Sequence, residues 1–359
     1  YTGNASGSTS YAAALSVTVN EKKGTTSATV TNSDLTHTGN STETGTVNKG
    51  VADSAINDGI VGDIDVGASL VGDRSEQRVS GLSIGATSTE TYKTFVINGS
   101  GSVTGAGAGT VSVTYHGGDT TTTVSGSNLS AKGDVDIFSG DYVNIDTVST
   151  TVAGAQTAAV PISVNVMTTE HETQTSVTGG ALSVADGQTI SVTSEAKEGV
   201  SGLAINGGGA MTAAVGALVN VTRQLSDVST TVTNVSSITG TNYTQTTDYL
   251  GRLTTMGLNA AGALNAAAAV SVSVNYADND LNNDLTGSTL SLNGALDMAA
   301  HRRSDWGFVD VNVTGAQYGA VSTYVAVNTI EGTTDSDFDR NTVNALNGTA
   351  PDVTIEAGN

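Results

Sequence analysis

Ala158-Ala159-Val160-Pro161-Ile162-Ser163-Val164-Asn165-Val166-Met167 is the stretch on which the reading of this chain turns. Val164 and Val166 alternate with Ser163 and Asn165, a period of two that suits a half-buried strand and not the 3.6 of a helix. The four-residue core of the stretch returns along the chain. It reads SVTV at 16–19, SVTY at 112–115, SVNV at 163–166, LVNV at 218–221, SVNY at 273–276 and AVNT at 326–329, with a weaker copy, DIDV, at 63–66. The spacing drifts around a period of about 50 residues, within the range of solenoid repeats.

Two further elements keep their place in each unit. Alternating strands follow the anchor at 135–139, 190–194, 296–300 and 353–357, and small-residue segments at 153–160, 205–217 and 259–270 lead into the next one. The last of these is rich in Ala, which favours helix, but Val270, Val272 and Val274 beside it alternate. The near-identical VSGLSI (79–84) and VSGLAI (200–205) tie the irregular repeats of residues 1–104 to the clearer ones of 105–359. The expectation is one continuous all-β segment over 1–359, a right-handed parallel β-helix (β-solenoid), with a β-propeller as the runner-up. At roughly 18–25 residues per turn, each unit would supply two or three turns, and the chain about 15–20 turns in a rod of roughly 70–95 Å. Val would face the core. The polar third residue of each anchor (Thr18, Thr114, Asn165, Asn220, Asn275, Asn328) would face solvent, too far from its copies to bond them.

Composition agrees. Thr, Gly, Val and Ser make up half of the 359 residues, with 2 Pro, 1 Trp, 4 Phe and no Cys. Small and β-branched residues at this density suit narrow β-structure. Thirteen basic against 34 acidic residues give a net charge of −21, which removes the cationic footprint that nucleic-acid binding requires and disfavours anionic lipid. No run of about 18 apolar residues could span a bilayer. The Tyr1 start reads as that of a segment excised from a longer chain.

The cycle of Ala/Gly-rich strand, VSVNV-like anchor, Thr/Asp loop and Gly-x-Leu/Ile-x-Val, clearest from Lys132 to Tyr276, resembles the leukotoxin-type filamentous adhesins, large repetitive type V secreted passenger regions of Gram-negative bacteria. The resemblance implies a non-enzymatic rod or stalk on the cell surface, anchored in the outer membrane or secreted, that mediates or presents attachment. Its partners would be a host or bacterial surface receptor, protein or glycan, together with a flanking solenoid or an outer-membrane barrel of the parent chain. End-to-end self-association is open to such a rod, which makes a self-assembling extracellular filament or matrix subunit the alternative. The family brings no catalytic motif, cofactor or metal ligand to this sequence.

The residues themselves point the same way. Gly81-Leu82-Ser83-Ile84-Gly85 matches the GxSxG pattern, but a nucleophile elbow needs a strand-to-helix turn and partners, and Ser83 aligns with Ala204. The four histidines, His37, His116, His171 and His301, lack zinc-type spacing. Asp335 to Asp339 imitates the opening of a calcium loop, yet Arg340 stands where Gly is needed and Leu346 where Glu is needed; a solvated acidic loop is expected. Carbohydrate-cleaving chemistry needs clustered carboxylates, and ice binding needs flat ranks of Thr; neither pattern is evident. Basic and large aromatic residues gather only at 301–308, and Arg302, Arg303 and Trp306 are the candidates for partner contact, since Trp and Arg dominate interface hot spots. The competing reading is that Trp306 and Phe308 fill a widened turn of the core while the arginines neutralise nearby Asp.

Overall fold

The computed structural model describes residues 2–39, 45–53 and 71–359. Every strand but two runs parallel to its sheet neighbours, and among the described residues there is no helix. Three sheets run the length of the molecule. The first contains β1 (Thr2–Ser8), β6 (Gly81–Ser102), β9 (Asp134–Ala155), β12 (Thr189–Ala210), β15 (Asn242–Ala263), β18 (Ala295–Gly315) and β22 (Asp352–Gly358), in that order. The second contains β2 (Tyr11–Thr31), β7 (Gly105–Ser125), β10 (Ala158–Thr178), β13 (Ala213–Thr233), β16 (Ala266–Thr286) and β19 (Gly319–Glu331), with β20 (Thr334–Asp339) continuing the last row. The third is narrow: β3 (Asp34–His37), β8 (Asn128–Ala131), β11 (Ala181–Val184), β14 (Ser237–Gly240), β17 (Thr289–Leu292) and β21 (Thr342–Ala345).

One coil therefore takes a strand from each sheet, and one coil consumes a whole repeat. Ala158 pairs with Ala213 and Ala213 with Ala266, so the period is one turn and not two or three. With seven strands in the first sheet, the stack is about 29 Å tall at ~4.8 Å per step, well short of the 70–95 Å expected from smaller turns. The small-residue segments are the tips where the first sheet turns into the second. Glycine and alanine there let the two sheets approach closely, over an interior in which Ala106, Ala108, Ala153 and Ala159 of two adjacent coils form one cluster and Ala214, Ala261, Ala267 and Ala269 another further along. The Ala-rich stretch at 259–270 is strand on both sides of its tip.

The corner between the second and third sheets repeats one device. Asn32, Gly126, Gly179, Asn234, Gly287 and Arg340 all have φ between 46° and 65°. Each of the first five sends its N–H to a carbonyl of the next coil, as Gly126 does to Thr178 at 2.8 Å. Left-handed backbone is what Gly and Asn tolerate best. Arg340 stands at this corner where the other coils carry Gly or Asn; before it, Asp335, Asp337 and Asp339 lie on the exposed side of β20, and Phe338 faces the core. That run is a strand and not a loop.

Behind the corner sits the apolar core, in which Val124, Val177, Val232 and Leu285 pack on Leu129, Leu182, Ile238, Leu290, Val135, Ile190, Tyr243 and Leu296. The strands expected at 135, 190, 296 and 353 stand in one column, with Tyr243 between them. The anchors are placed correctly as strands but slip in register. Val164 pairs with Val111, and Val219 with Val272, so three of the copies lie two residues from the expected match. VSGLSI and VSGLAI are not register mates either: Leu82 pairs with Val135, whereas Leu203 pairs with Val148. The irregularity of the first hundred residues has a simple origin. β1, β2 and β3 form an ordinary coil, and an antiparallel hairpin, β4 (Gly45–Asp53) with β5 (Val71–Val79), is inserted before β6. It packs against β6, β9 and β12. The weak anchor at 63–66 lies outside the described residues.

The inward and outward sides of the second sheet are the reverse of the expectation. Ser163, Asn165, Asn220, Thr114 and Asn275 are buried, while Val164, Val166, Val219 and Val221 lie on the outer face, half-exposed. Copies are one coil apart, so they do meet: Asn275 donates to Asn328 at 2.9 Å. The cause is parity over a 21-residue strand. Val177 must face the apolar core, and in an unbroken strand every odd-numbered residue of β10 then faces inward with it.

Candidate functional site

Between the first two sheets, away from the apolar corner, the interior is rich in buried polar groups, set among small apolar clusters such as Val228 with Leu281 and Met167 with Leu253. At the tip edge, inward asparagines stitch the sheets together: Asn206 donates to the carbonyls of Pro161 (3.2 Å) and Ala217 (3.0 Å), and Asn259 to that of Val270 (2.9 Å). At mid-strand the interior holds charge. Lys22 on β2 pairs with Glu90 on β6, and Glu90 also bonds Nε2 of His116 on β7. His116 Nδ1 lies 2.9 Å from His171 Nε2, the two rings stacked with centroids 4.8 Å apart, and His171 Nδ1 lies 2.7 Å from Asp141 Oδ2. One coil further, Glu198 accepts from the Ser226 hydroxyl and, at 3.3 Å, from Tyr249. His116, His171, Asp141 and Glu198 are buried, His116 being 2% exposed and His171 5%, while Lys22 and Glu90 at the end of the row are partly exposed.

Geometry assigns the protons. Both outer ring nitrogens face carboxylates and so carry hydrogen, leaving one further proton to be shared between the two inner nitrogens. His171 is the better holder. Burial opposes its charge, but the Asp141 hydrogen bond and the charges of Glu198, Asp141 and Glu90 raise its pKa above the usual histidine value. Burial and the neighbouring His171 lower that of His116. His171 is therefore the imidazolium, donating to Asp141 and to the neutral His116, which donates in turn to Glu90. Burial alone would raise Glu90, yet the hydrogen bonds from Lys22 and His116 hold it below the ordinary carboxylate range. Burial raises Glu198, with His171 and Ser226 opposing.

Arg302, Arg303 and Trp306 are not brought together as one surface. Arg302 on β18 points inward and donates through Nη1 to the carbonyls of Asn279 and Glu331, both at 3.1 Å. It closes the polar interior at the end opposite Lys22. Arg303 points outward, 3.7 Å from Asp305. Trp306 faces inward against Met167, Val200 and Leu253, edge-on to Phe308 with ring centroids 5.5 Å apart. His301 is exposed and bridges Asp248 (3.1 Å) and Glu356 (3.0 Å). Ser83 lies near the start of β6, within a strand that no helix follows. Among the described residues no group of three or more His, Asp or Glu is arranged to hold a metal ion.

Sequence reasoning missed the histidine relay because His116 and His171 lie 55 residues apart. A signal was present: one coil is 53 residues in this part of the chain, so His116 and His171 stand two residues out of register on adjacent strands and on the same inward side, and both lie in the polar stretch that follows an anchor. No protein-family model matches the chain, and neither a curated protein nor a solved structure matches it.

Proposed function

We propose that this chain is a surface-displayed rod segment of a filamentous adhesin, non-enzymatic, which mediates or presents the attachment of a Gram-negative cell to a host or bacterial surface receptor. The observation that carries the reading is the constancy of the cross-section. All three sheets keep their register through successive coils, so the molecule projects by one ~4.8 Å step per repeat without changing shape. A rod of this kind needs no ligand to hold its form, and its outward loops and faces are free to vary. A surface of net charge −21 suits a role without nucleic acid. The sequence resemblance supplies the outer-membrane or secreted setting.

The test is attachment. Beads coated with the chain should adhere to receptor-bearing cells or to other bacteria more than beads coated with an acidic solenoid of unrelated sequence, and polysaccharide substrates should release no product. Equal adhesion, or turnover lost on mutating an aspartate pair, would overturn the reading. The alternative, a self-assembling filament, draws on the open edges that β2 and β19 present at the two ends of the second sheet. Open-ended growth with concentration would favour it.

A further inference from the structure

The outer face of the second sheet carries a surface that neither the rod reading nor the interior relay uses. Val17, Val111, Val164, Val219, Val272 and Val325 pair in sequence across all six strands. Two residues further along each strand, a second unbroken row of valines runs from Val19 to Val327. Val17 and Val19 are 59% and 66% exposed, and Val325 and Val327 46% and 48%. On the tip side the rows are flanked by Leu15, Ile162, Val215 and Val270, all exposed.

The charge pattern marks out the same area. No Asp, Glu, Lys or Arg occurs in 1–20, 94–118, 147–169, 199–222, 253–277 or 311–330, although the chain has 47 such residues. The pairing register stacks these windows into one continuous uncharged edge. Four columns of residues over six strands give a flat patch of about 700 Å², close to the ~800 Å² that each partner buries in a standard interface. It also exceeds the few hundred Å² of contiguous apolar surface that a monomer ordinarily exposes.

We infer that this face is the interface with a second copy of the chain, two valine-laddered sheets packing face to face across a two-fold axis. The rows are identical side chains at the strand spacing, so the ridges of one copy fit the grooves of another, as in paired sheets of a sandwich or a dry zipper. No charge has to be desolvated, and the acidic remainder of each rod is left outside the contact. An isologous contact of this kind closes at two. A lipid surface fits less well, because 13 basic residues against 34 acidic ones would meet anionic headgroups with repulsion. The outer face of the first sheet at the same edge is rougher: its column of Phe95, Val148, Leu203, Met256 and Val309 mixes lengths. The inference rests on the valine rows and the uncharged windows that frame them, and stands independently of the adhesin reading.

Sedimentation velocity over a concentration series tests it. The chain should sediment as a dimer that grows no further, and Val164→Lys with Val219→Lys should raise the dissociation constant at least 100-fold while circular dichroism stays unchanged. Should the lysine pair prevent folding, the shape-conserving Val164→Thr with Val219→Thr should weaken association by about tenfold. The chain is free of cysteine, so Val219→Cys should oxidise to a linked dimer, whereas Asp297→Cys on the outer side of the first sheet should not. A monomer at every concentration would overturn the proposal. So would association indifferent to these substitutions, or a monomer that binds phosphatidylcholine vesicles through the same face.

Discussion

The two halves of each coil solve the problem of an interior in opposite ways. At the corner with the third sheet, Val, Leu, Ile and Met fill a conventional apolar core, whose stabilisation scales with buried area and is indifferent to pH. In the flattened part between the first two sheets, Asn, Ser, Thr, His and carboxylates face one another beside small apolar clusters such as Met167, Val200 and Leu253, and the valine rows of the second sheet are turned outward. Stability there depends on hydrogen bonds being satisfied and on protons being in place. One strand serves both halves: β10 places His171 and Val177 on the same inward side, six residues apart. The corner chooses the parity, and the polar interior is its consequence. The contrast can be broken at either end.

The largest effect is expected at His171. His171→Ala leaves Asp141 buried without its partner and should cost about 3–5 kcal/mol, the usual penalty for breaking a buried pair. The pH profile should identify the cause. Since His171 titrates above the usual histidine value of 6.5, its contribution is complete below that pH and is lost as pH rises through its folded pKa. His116 titrates below 6.5, so its contribution is present above that pH and is lost as pH falls through its lowered pKa. The pair shares a proton and titrates as a unit, which makes denaturant stability bell-shaped around the ordinary histidine value. His171→Gln should remove the alkaline limb and His116→Gln the acid one. A flat profile in the wild type would refute the assignment of the shared proton.

At the apolar corner, Leu182→Ala should cost about 3 kcal/mol by lost transfer energy and a residual cavity. This loss should be the same from pH 5 to pH 8 when read from the denaturant midpoint. A pH-dependent loss would mean that the two halves are coupled and the contrast is false. A smaller effect, of opposite sign, is expected at Glu198. Its pKa is raised by burial, so the folded state is penalised once pH rises through that value. Glu198→Gln removes the penalty and keeps an acceptor for Ser226, so the protein should gain about 1 kcal/mol or less at neutral pH, and nothing below pH 4.5.

The same contrast explains what was legible in the sequence. Period-two alternation, small-residue tips and a repeat near 50 residues announced a parallel solenoid, because they are local or simply periodic. The number of turns per repeat was not legible: a 53-residue coil and two shorter ones carry the same alternation, and only pairing partners distinguish them. Parity was hidden too. Between Met167 and Val177, β10 reads almost wholly polar, so hydrophobicity says nothing about which side of Thr168–Ser176 faces inward. A local reading gives Val164 and Val166 to the core; the rule that an unbroken strand keeps its parity assigns them outward from Val177. His116 and His171 became neighbours only once the register was known.

The basic pair at 302–303 divides along the same line, and its test has the smallest expected effect. Arg302 lies on the inward side, with its guanidinium donating to two backbone carbonyls, those of Asn279 and Glu331. Arg303 lies on the outward side, 3.7 Å from Asp305, a surface ion pair of the kind worth between zero and ~1 kcal/mol. Arg302→Ala should therefore cost about 1–2 kcal/mol, as expected for charge-assisted bonds at a partly exposed site, and any loss of attachment should be no larger than the lost stability explains. Arg303→Ala should change stability by less than about 0.5 kcal/mol. If the cluster does contact a receptor, the adhesion of coated beads should fall in Arg303→Ala with the melting temperature unchanged. Attachment unaltered in Arg303→Ala and reduced only in Arg302→Ala would place the cluster within the scaffold, with Arg302 serving as the closing group of the polar interior.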